Sequence, residues 1–238
     1  AERLAASITQ EFPENSFAWK VLSSTLKLAG KMEESLRAIQ IAAQLEPQDS
    51  EAQNNLGVIL KGLGELAKAE ASYRRAIELK PDYAEAYSNL GSTLYELKRF
   101  SDAEASYSQA ISVDPTFPEA HSNLGNALKE QGRLNEAESS YNTAIALKPN
   151  YAEAHCNLGA TLHSLGRLNE AEMSYKRAIR LQPELGQAYF NLGITQKKLG
   201  RLEDAKTSYE QAIAIKPESD ANHYNLGTVL LKLGRFKE

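Results

Sequence analysis

Apolar and small side chains recur along this chain at helical spacing, and the whole pattern returns every 34 residues. In one unit Tyr87, Leu90, Gly91 and Leu94 hold repeat positions 4, 7, 8 and 11. At about 100° per residue these four fall on one stripe of an α-helix. Positions 2, 6, 9 and 13 lie opposite that stripe. Each unit therefore predicts a helix A over roughly its first 14 positions, a turn, and a helix B. The turn carries Gly30, Gly64, Gly132, Gly166 and Gly200, with Lys98 as the exception. Glycine suits a helix stop in the left-handed conformation, where a Cβ is costly. Helix B runs to just before a proline: Pro13, Pro47, Pro81, Pro115, Pro149, Pro183 and Pro217 stand 34 residues apart, with only Pro118 off the grid. The next helix tolerates proline only near its first turn.

The 238 residues equal seven times 34. Full repeats span 16–49, 50–83, 84–117, 118–151, 152–185 and 186–219, with half repeats at 1–15 and 220–238. Leu56-Gly57, Leu60, Ala69, Tyr73, Ala76 and Pro81 recur in phase in the next three repeats, and in 186–219 with Gln196 replacing the second leucine. This pattern resembles the tetratricopeptide repeat over the entire chain. The first full repeat keeps Trp19, Leu22, Leu26, Ala42 and Pro47 but departs at Ser23, Ser35 and Ile39. The resemblance implies an all-α fold over residues 1–238. That fold is a right-handed α–α superhelical solenoid of helix-turn-helix units, with helix A lining the concave face. Small residues at positions 8, 20 and 27 let helices A and B approach closely, and the position-24 tyrosine fills the gap.

Position 6 is asparagine in six successive units: Asn55, Asn89, Asn123, Asn157, Asn191 and Asn225. Asparagine costs about half a kcal/mol or more relative to alanine inside a helix. Its amide carries donors and an acceptor, so a row of them matches the alternating groups of an extended peptide backbone. The alternative is that each amide bonds a neighbouring helix and fixes the stacking angle. The Asn-Leu-Gly phrase resembles the arrays attached to nucleocytoplasmic O-linked N-acetylglucosamine transferases, whose matching asparagines hold substrate backbone. That resemblance implies peptide binding at these six residues, and the row stops at Val21. Neighbouring side chains that select ligand residues are expected among Asn54, Ser92, Tyr95, Asn126, Lys129, His163, Phe190, Lys198 and Tyr224.

Acidic residues at position 2 (Glu51, Glu85, Glu119, Glu153) admit two readings. They form an acidic rim, or they close capping boxes in Asp82/Glu85, Thr116/Glu119 and Asn150/Glu153. Lys61, Lys129, Lys197, Lys198 and Lys232 suit the helix dipole near the far end of helix A. Glutamate stands where the carboxylate clamp of chaperone-binding tetratricopeptide domains places lysine.

A net charge of −4 argues against a broad nucleic-acid face. His121, His155 and His223 share position 4, a packing position, and equivalent atoms of successive repeats are too far apart for ligands at about 2 Å from one metal. Repeated positions give rows, whereas catalysis needs nucleophile, base and orienter to converge. No catalytic, cofactor or metal site is therefore expected. The single cysteine, Cys156, excludes an internal disulfide. No apolar run nears the roughly 18 residues of a membrane span, and no signal-peptide pattern opens the chain. These features favour a cytoplasmic protein without membrane contact.

The reading is a protein-binding module that holds extended peptide segments. The alternatives are the substrate-recruiting arm of a larger enzyme, such as a glycosyltransferase, or a passive assembly scaffold. An opening at Ala1 instead of Met suggests an excised piece. The frame leaves Leu226, Leu230 and Leu233 on a last helix A, and Leu4, Ala5 and Ile8 on a first helix B, without partners. Head-to-tail self-association through these ends is the further expectation.

Overall fold

The computed structural model describes residues 2–235. Among these there are fourteen helices and no strand. Helix A of successive units is α2 (Ser16–Leu28), α4 (Ser50–Gly62), α6 (Ala84–Glu96), α8 (Pro118–Glu130), α10 (Ala152–Ser164), α12 (Gly186–Lys198) and α14 (Asp220–Lys232). Helix B is α1 (Glu2–Glu11), α3 (Met32–Leu45), α5 (Leu66–Leu79), α7 (Phe100–Val113), α9 (Leu134–Leu147), α11 (Leu168–Leu181) and α13 (Leu202–Ile215). The chain divides into two compact units, Ala1–Pro115 and Thr116–Glu238.

The turns follow the glycines. Gly30, Gly64, Gly132, Gly166 and Gly200 have φ between 75° and 79°, and Lys98 takes the same left-handed region at 60°. After α4, Gly64 N–H bonds the Lys61 carbonyl and Glu65 N–H bonds the Leu60 carbonyl, both at 2.9 Å. That double bond closes the helix end and satisfies its last carbonyls. Between repeats the proline sits in the connecting turn, and the residue before it is extended, as at Lys80 (φ −138°, ψ 90°). Only Pro118 lies in a helix, in its first turn, where no hydrogen bond is lost.

Packing within each repeat rests on one interlock. A Cβ on Gly57, Gly91, Gly125, Gly159 or Gly193 would come within 2.6–2.7 Å of the ring of Tyr73, Tyr107, Tyr141, Tyr175 or Tyr209. The rings are at most 2% exposed, and the alanines at positions 20 and 27 of these repeats are fully buried. The departures of the first full repeat form one compensated set. Ile39 is fully buried at the tyrosine position. Ser23 and Ser35 donate reciprocally to each other's backbone carbonyls, at 3.0 and 2.7 Å, where other repeats place glycine against alanine.

Helix starts correct the capping-box expectation. The residues at N-cap are Tyr83, Phe117 and Tyr151, one position later than expected, and none forms a side-chain cap. Asn15, Asp49 and Ser219 do cap, accepting from backbone N–H groups. Lys80 and Lys148 instead sit over the rings of Tyr83 and Tyr151, at 4.9 and 4.7 Å.

The chain ends also differ from expectation. Ala5 is 3% exposed, packed with Leu22, Leu26 and Ala38, and Ile8 is half-buried; of the three only Leu4 is exposed. On α14, Leu226 and Leu233 pack against the cluster of Ala205, Tyr209 and Val229. No helix among the described residues is long and apolar enough to cross a membrane.

Candidate functional site

Position 6 follows two residues after a packing position and precedes the leucine-glycine pair, so its side chain leaves helix A beside the interlock. All six asparagines are half-buried. In the first unit Asn89 donates to Asn54 Oδ1 at 3.0 Å, while the Asn55 amide has no partner among the described residues. In the second unit the Asn123 and Asn157 amides likewise have none. Asn191 Oδ1 accepts from Gln187 at 2.9 Å, and Asn225 Oδ1 accepts from Lys197 at 2.8 Å. Asn225 also donates to the Ala221 carbonyl at 2.9 Å.

The expected selecting residues divide into two groups. Asn54 is 1% exposed and bonds Asn89 and the Tyr83 hydroxyl, so it belongs to the packing between repeats. Tyr95 meets Phe100 edge-on at 5.3 Å, and Phe190 leans on Tyr209 at 6.1 Å. Ser92 bonds the Tyr107 hydroxyl and accepts from Lys61 at 2.5 Å. Asn126 accepts from the Tyr141 hydroxyl at 2.7 Å. Lys198 and Tyr224 are exposed, and Lys129 is half-buried.

The position-9 residue faces the tip of the buried tyrosine, so Ser92 and Asn126 satisfy their hydroxyls whereas Ala160 and Ile194 cannot. Tyr209 accordingly keeps a buried hydroxyl without a partner. Beside Tyr175 the short Ala160 leaves a pocket of about 230 Å³, lined by Ala160, His163, Tyr175, Asn191 and Ile194.

Other polar residues bear the repeat. His155 and His223 donate to the carbonyls of Pro149 and Pro217, at 3.2 and 2.7 Å, as Trp19 does to Pro13 at 2.8 Å. Among the described residues no cluster of three His, Cys, Asp or Glu side chains is placed to hold a metal. Burial pushes the Cys156 thiol up to about 11, which makes it a poor nucleophile at neutral pH. Glu119 pairs with Lys148 at 2.7 Å, and Glu51 with Lys20 at 2.8 Å.

A second row escaped the sequence reading. Arg99 reaches back to Glu70 at 2.8 Å, Arg167 to Glu138 at 2.6 Å and Arg201 to Glu172 at 2.5 Å. The recurrence of arginine at position 16, with a glutamate 29 residues earlier, was the available signal. Glu172 is the most buried of these acids, 5% exposed. Burial raises its pKa, but Lys176 and Arg201 outweigh that and hold it below the ordinary carboxylate range.

Paired helices repeating every 34 residues around a glycine–tyrosine interlock define a tetratricopeptide repeat protein. Residues 3–225 match the family described as "Cilia and flagella-associated protein 70 C-terminal domain", and the chain belongs to that family. No curated protein matches the chain. Solved structures do. The structure titled "Crystal structure of APC/C hetero-tetramer Cut9-Hcn1" superposes with a TM-score of 0.83 at 18% identity, over 95% of this chain and 45% of that one. The chain thus spans less than half the length of that neighbour. PilW, a "widely conserved type IV pilus biogenesis factor", gives 0.80 at 26% identity over 90% and 98% of the two chains. YrrB, "a TPR protein with an unusual peptide-binding site", gives 0.62 at 24% identity over 79% and 97%. The first and third are likenesses of fold alone.

Proposed function

We propose that this chain is a binding module for extended protein segments, held by their backbone on the position-6 asparagines. The observation that carries the reading is the state of Asn123 and Asn157. They stand one repeat apart, half-buried, and both amides lack a partner among the described residues. An amide that spends its hydrogen bonds on no neighbour costs helix stability for nothing unless a ligand takes it. Asn55 has the same state in the first unit. Asn89, Asn191 and Asn225 are pre-oriented by their partners and each keeps further hydrogen-bonding capacity.

Backbone recognition without a deep anchor gives micromolar affinity, because ordering a flexible segment opposes binding. The test uses peptides selected from a random-sequence display library on the full chain. The variant with Asn123, Asn157 and Asn191 all changed to alanine should bind them about tenfold or more weakly. Its melting temperature should hold or rise, since alanine is the better helix former. Unchanged affinity rejects the reading, and a large loss of stability assigns the row to repeat stacking instead.

The Asn-Leu-Gly phrase also supports the recruiting-arm reading, in which the bound segment is an enzyme's substrate. A passive scaffold would show no selected peptides. Self-association has only a small surface to use: Leu4 is 67% exposed, and on α14 Tyr224 and Leu231 are 74% and 60% exposed. Sedimentation at rising concentration tests it.

A further inference from the structure

The pocket beside Asn191 has a chemistry that narrows what the bound segment carries. Its walls are the Ala160 methyl and the Ile194 side chain, from α10 and α12, and Tyr175 from α11 contributes a ring 1% exposed. The Tyr175 hydroxyl has no hydrogen-bond partner among the described residues. Its equivalents Tyr107 and Tyr141 are satisfied by Ser92 and Asn126. Unlike that of Tyr209, this hydroxyl is not sealed from solvent, so it is open to whatever enters.

The second polar group is His163, whose tautomer follows from its neighbours. Thr195 has a single hydroxyl proton and donates it to the Asn191 carbonyl at 2.8 Å. The contact between Thr195 Oγ1 and His163 Nδ1, at 2.9 Å, must then run from an Nδ1–H donor. Burial, and next Lys198, hold the imidazole pKa below its ordinary value, so the ring is neutral near pH 7. Nε2 is therefore an acceptor with no assigned partner. Together the pocket presents an acceptor, an accessible hydroxyl and an apolar wall. A carboxylate would meet the Nε2 lone pair. An ammonium group would meet the positive field of Lys198. A hydroxyl can donate to Nε2 and accept from Tyr175 at once.

We propose that this pocket takes a tyrosine side chain of the bound segment, its ring against Ala160 and Ile194 and its hydroxyl between His163 and Tyr175. About 230 Å³ admits one aromatic group, and an apolar body with a polar tip is what the lining matches. The inference rests on the peptide-binding reading and names the residue class that one register position of the segment must supply.

The experiment uses p-cresol as the side-chain probe, titrated into the isotope-labelled full chain and followed by NMR at the His163 ring and the Ile194 methyls. Toluene, which lacks the hydroxyl, is the control. p-Cresol should bind at least about tenfold more tightly than toluene. Ala160→Asn, which copies Asn126 and gives Tyr175 a partner, should weaken p-cresol about tenfold or more while the chain stays folded. Equal binding of the two probes, or no shift at His163, overturns the proposal. The variant with Asn123 and Asn157 changed to alanine separates it from the backbone reading. That variant should keep p-cresol binding while losing selected peptides. Selected peptides with no tyrosine at a fixed register would sink the pocket assignment and leave the asparagine row standing. p-Cresol binding with no peptide selected at all would do the reverse.

Discussion

The repeats Pro118–Tyr151 and Ala152–Leu185 share one glycine–tyrosine interlock and differ in what they leave open. Gly125 receives Tyr141 as Gly159 receives Tyr175, each ring within 2.7 Å of where a Cβ would stand. At position 9 the first has Asn126 and the second Ala160, so one tyrosine hydroxyl is bonded and the other faces a pocket. At position 12 the first has Lys129 and the second His163, which Thr195 locks in one tautomer. The interlock decides that a repeat forms. Two side chains on helix A decide whether it offers a site.

The largest effect should come from breaking what the two repeats share. Gly125→Ala and Gly159→Ala each drive a Cβ into a packed ring, which costs about 1–3 kcal/mol, offset by up to about 1 kcal/mol of helix propensity. Chemical denaturation should show equal losses. The same change at Gly227, which has no atom within 4 Å, should be neutral or stabilising by up to about 1 kcal/mol. Equal losses at all three sites would refute the interlock.

The arginine row offers the next comparison. Glu138 keeps 20% of its side-chain surface exposed and Glu172 only 7%. Arg201→Ala leaves the more buried carboxylate with Lys176 as its paired cation and should cost about 1–3 kcal/mol. Arg167→Ala should cost less, as exposed pairs do. Thermal unfolding of the two variants side by side checks the order.

Exchanging position 9 sharpens the contrast directly. Asn126→Ala removes the acceptor of the Tyr141 hydroxyl and should cost about 1 kcal/mol. Ala160→Asn gives Tyr175 a partner and should leave stability unchanged or slightly raised. The reverse order would place the hydroxyls' partners elsewhere.

The smallest expected effect is on pH dependence. His155 and His163 both belong to the second of these repeats, and burial holds both pKa values below the ordinary one. The unfolded chain then takes up protons near pH 6.5, before the folded one does. Stability present above that pH is lost as pH falls through the folded values, within about 1 kcal/mol once solvent screening is allowed for. Gln at both positions should flatten the slope between pH 7 and 5, read from denaturation midpoints.

Much of the fold was legible because its causes are local and periodic. The glycine turns and the left-handed Lys98 follow from backbone sterics at one residue. The capping boxes misled by one position because spacing alone cannot show where the first helical residue falls. Tyr83 and Tyr151 end the extended turn and carry no capping oxygen in reach. Ser23, Ser35 and Ile39 read as three departures and prove to be one repair, visible only once α2 and α3 are packed.

For the asparagines the division runs through a single row. Their period, shared phase and amide chemistry belong to the sequence, because a helix of fixed pitch maps spacing onto a face. Which amides stay unspent is a tertiary matter, since Asn54, Gln187 and Lys197 reach their partners by packing or by rotamer, not by spacing alone. The Tyr175 pocket is tertiary for the same reason. Ala160 is an ordinary helix residue until a tyrosine from the next helix arrives opposite it and finds no oxygen to bond.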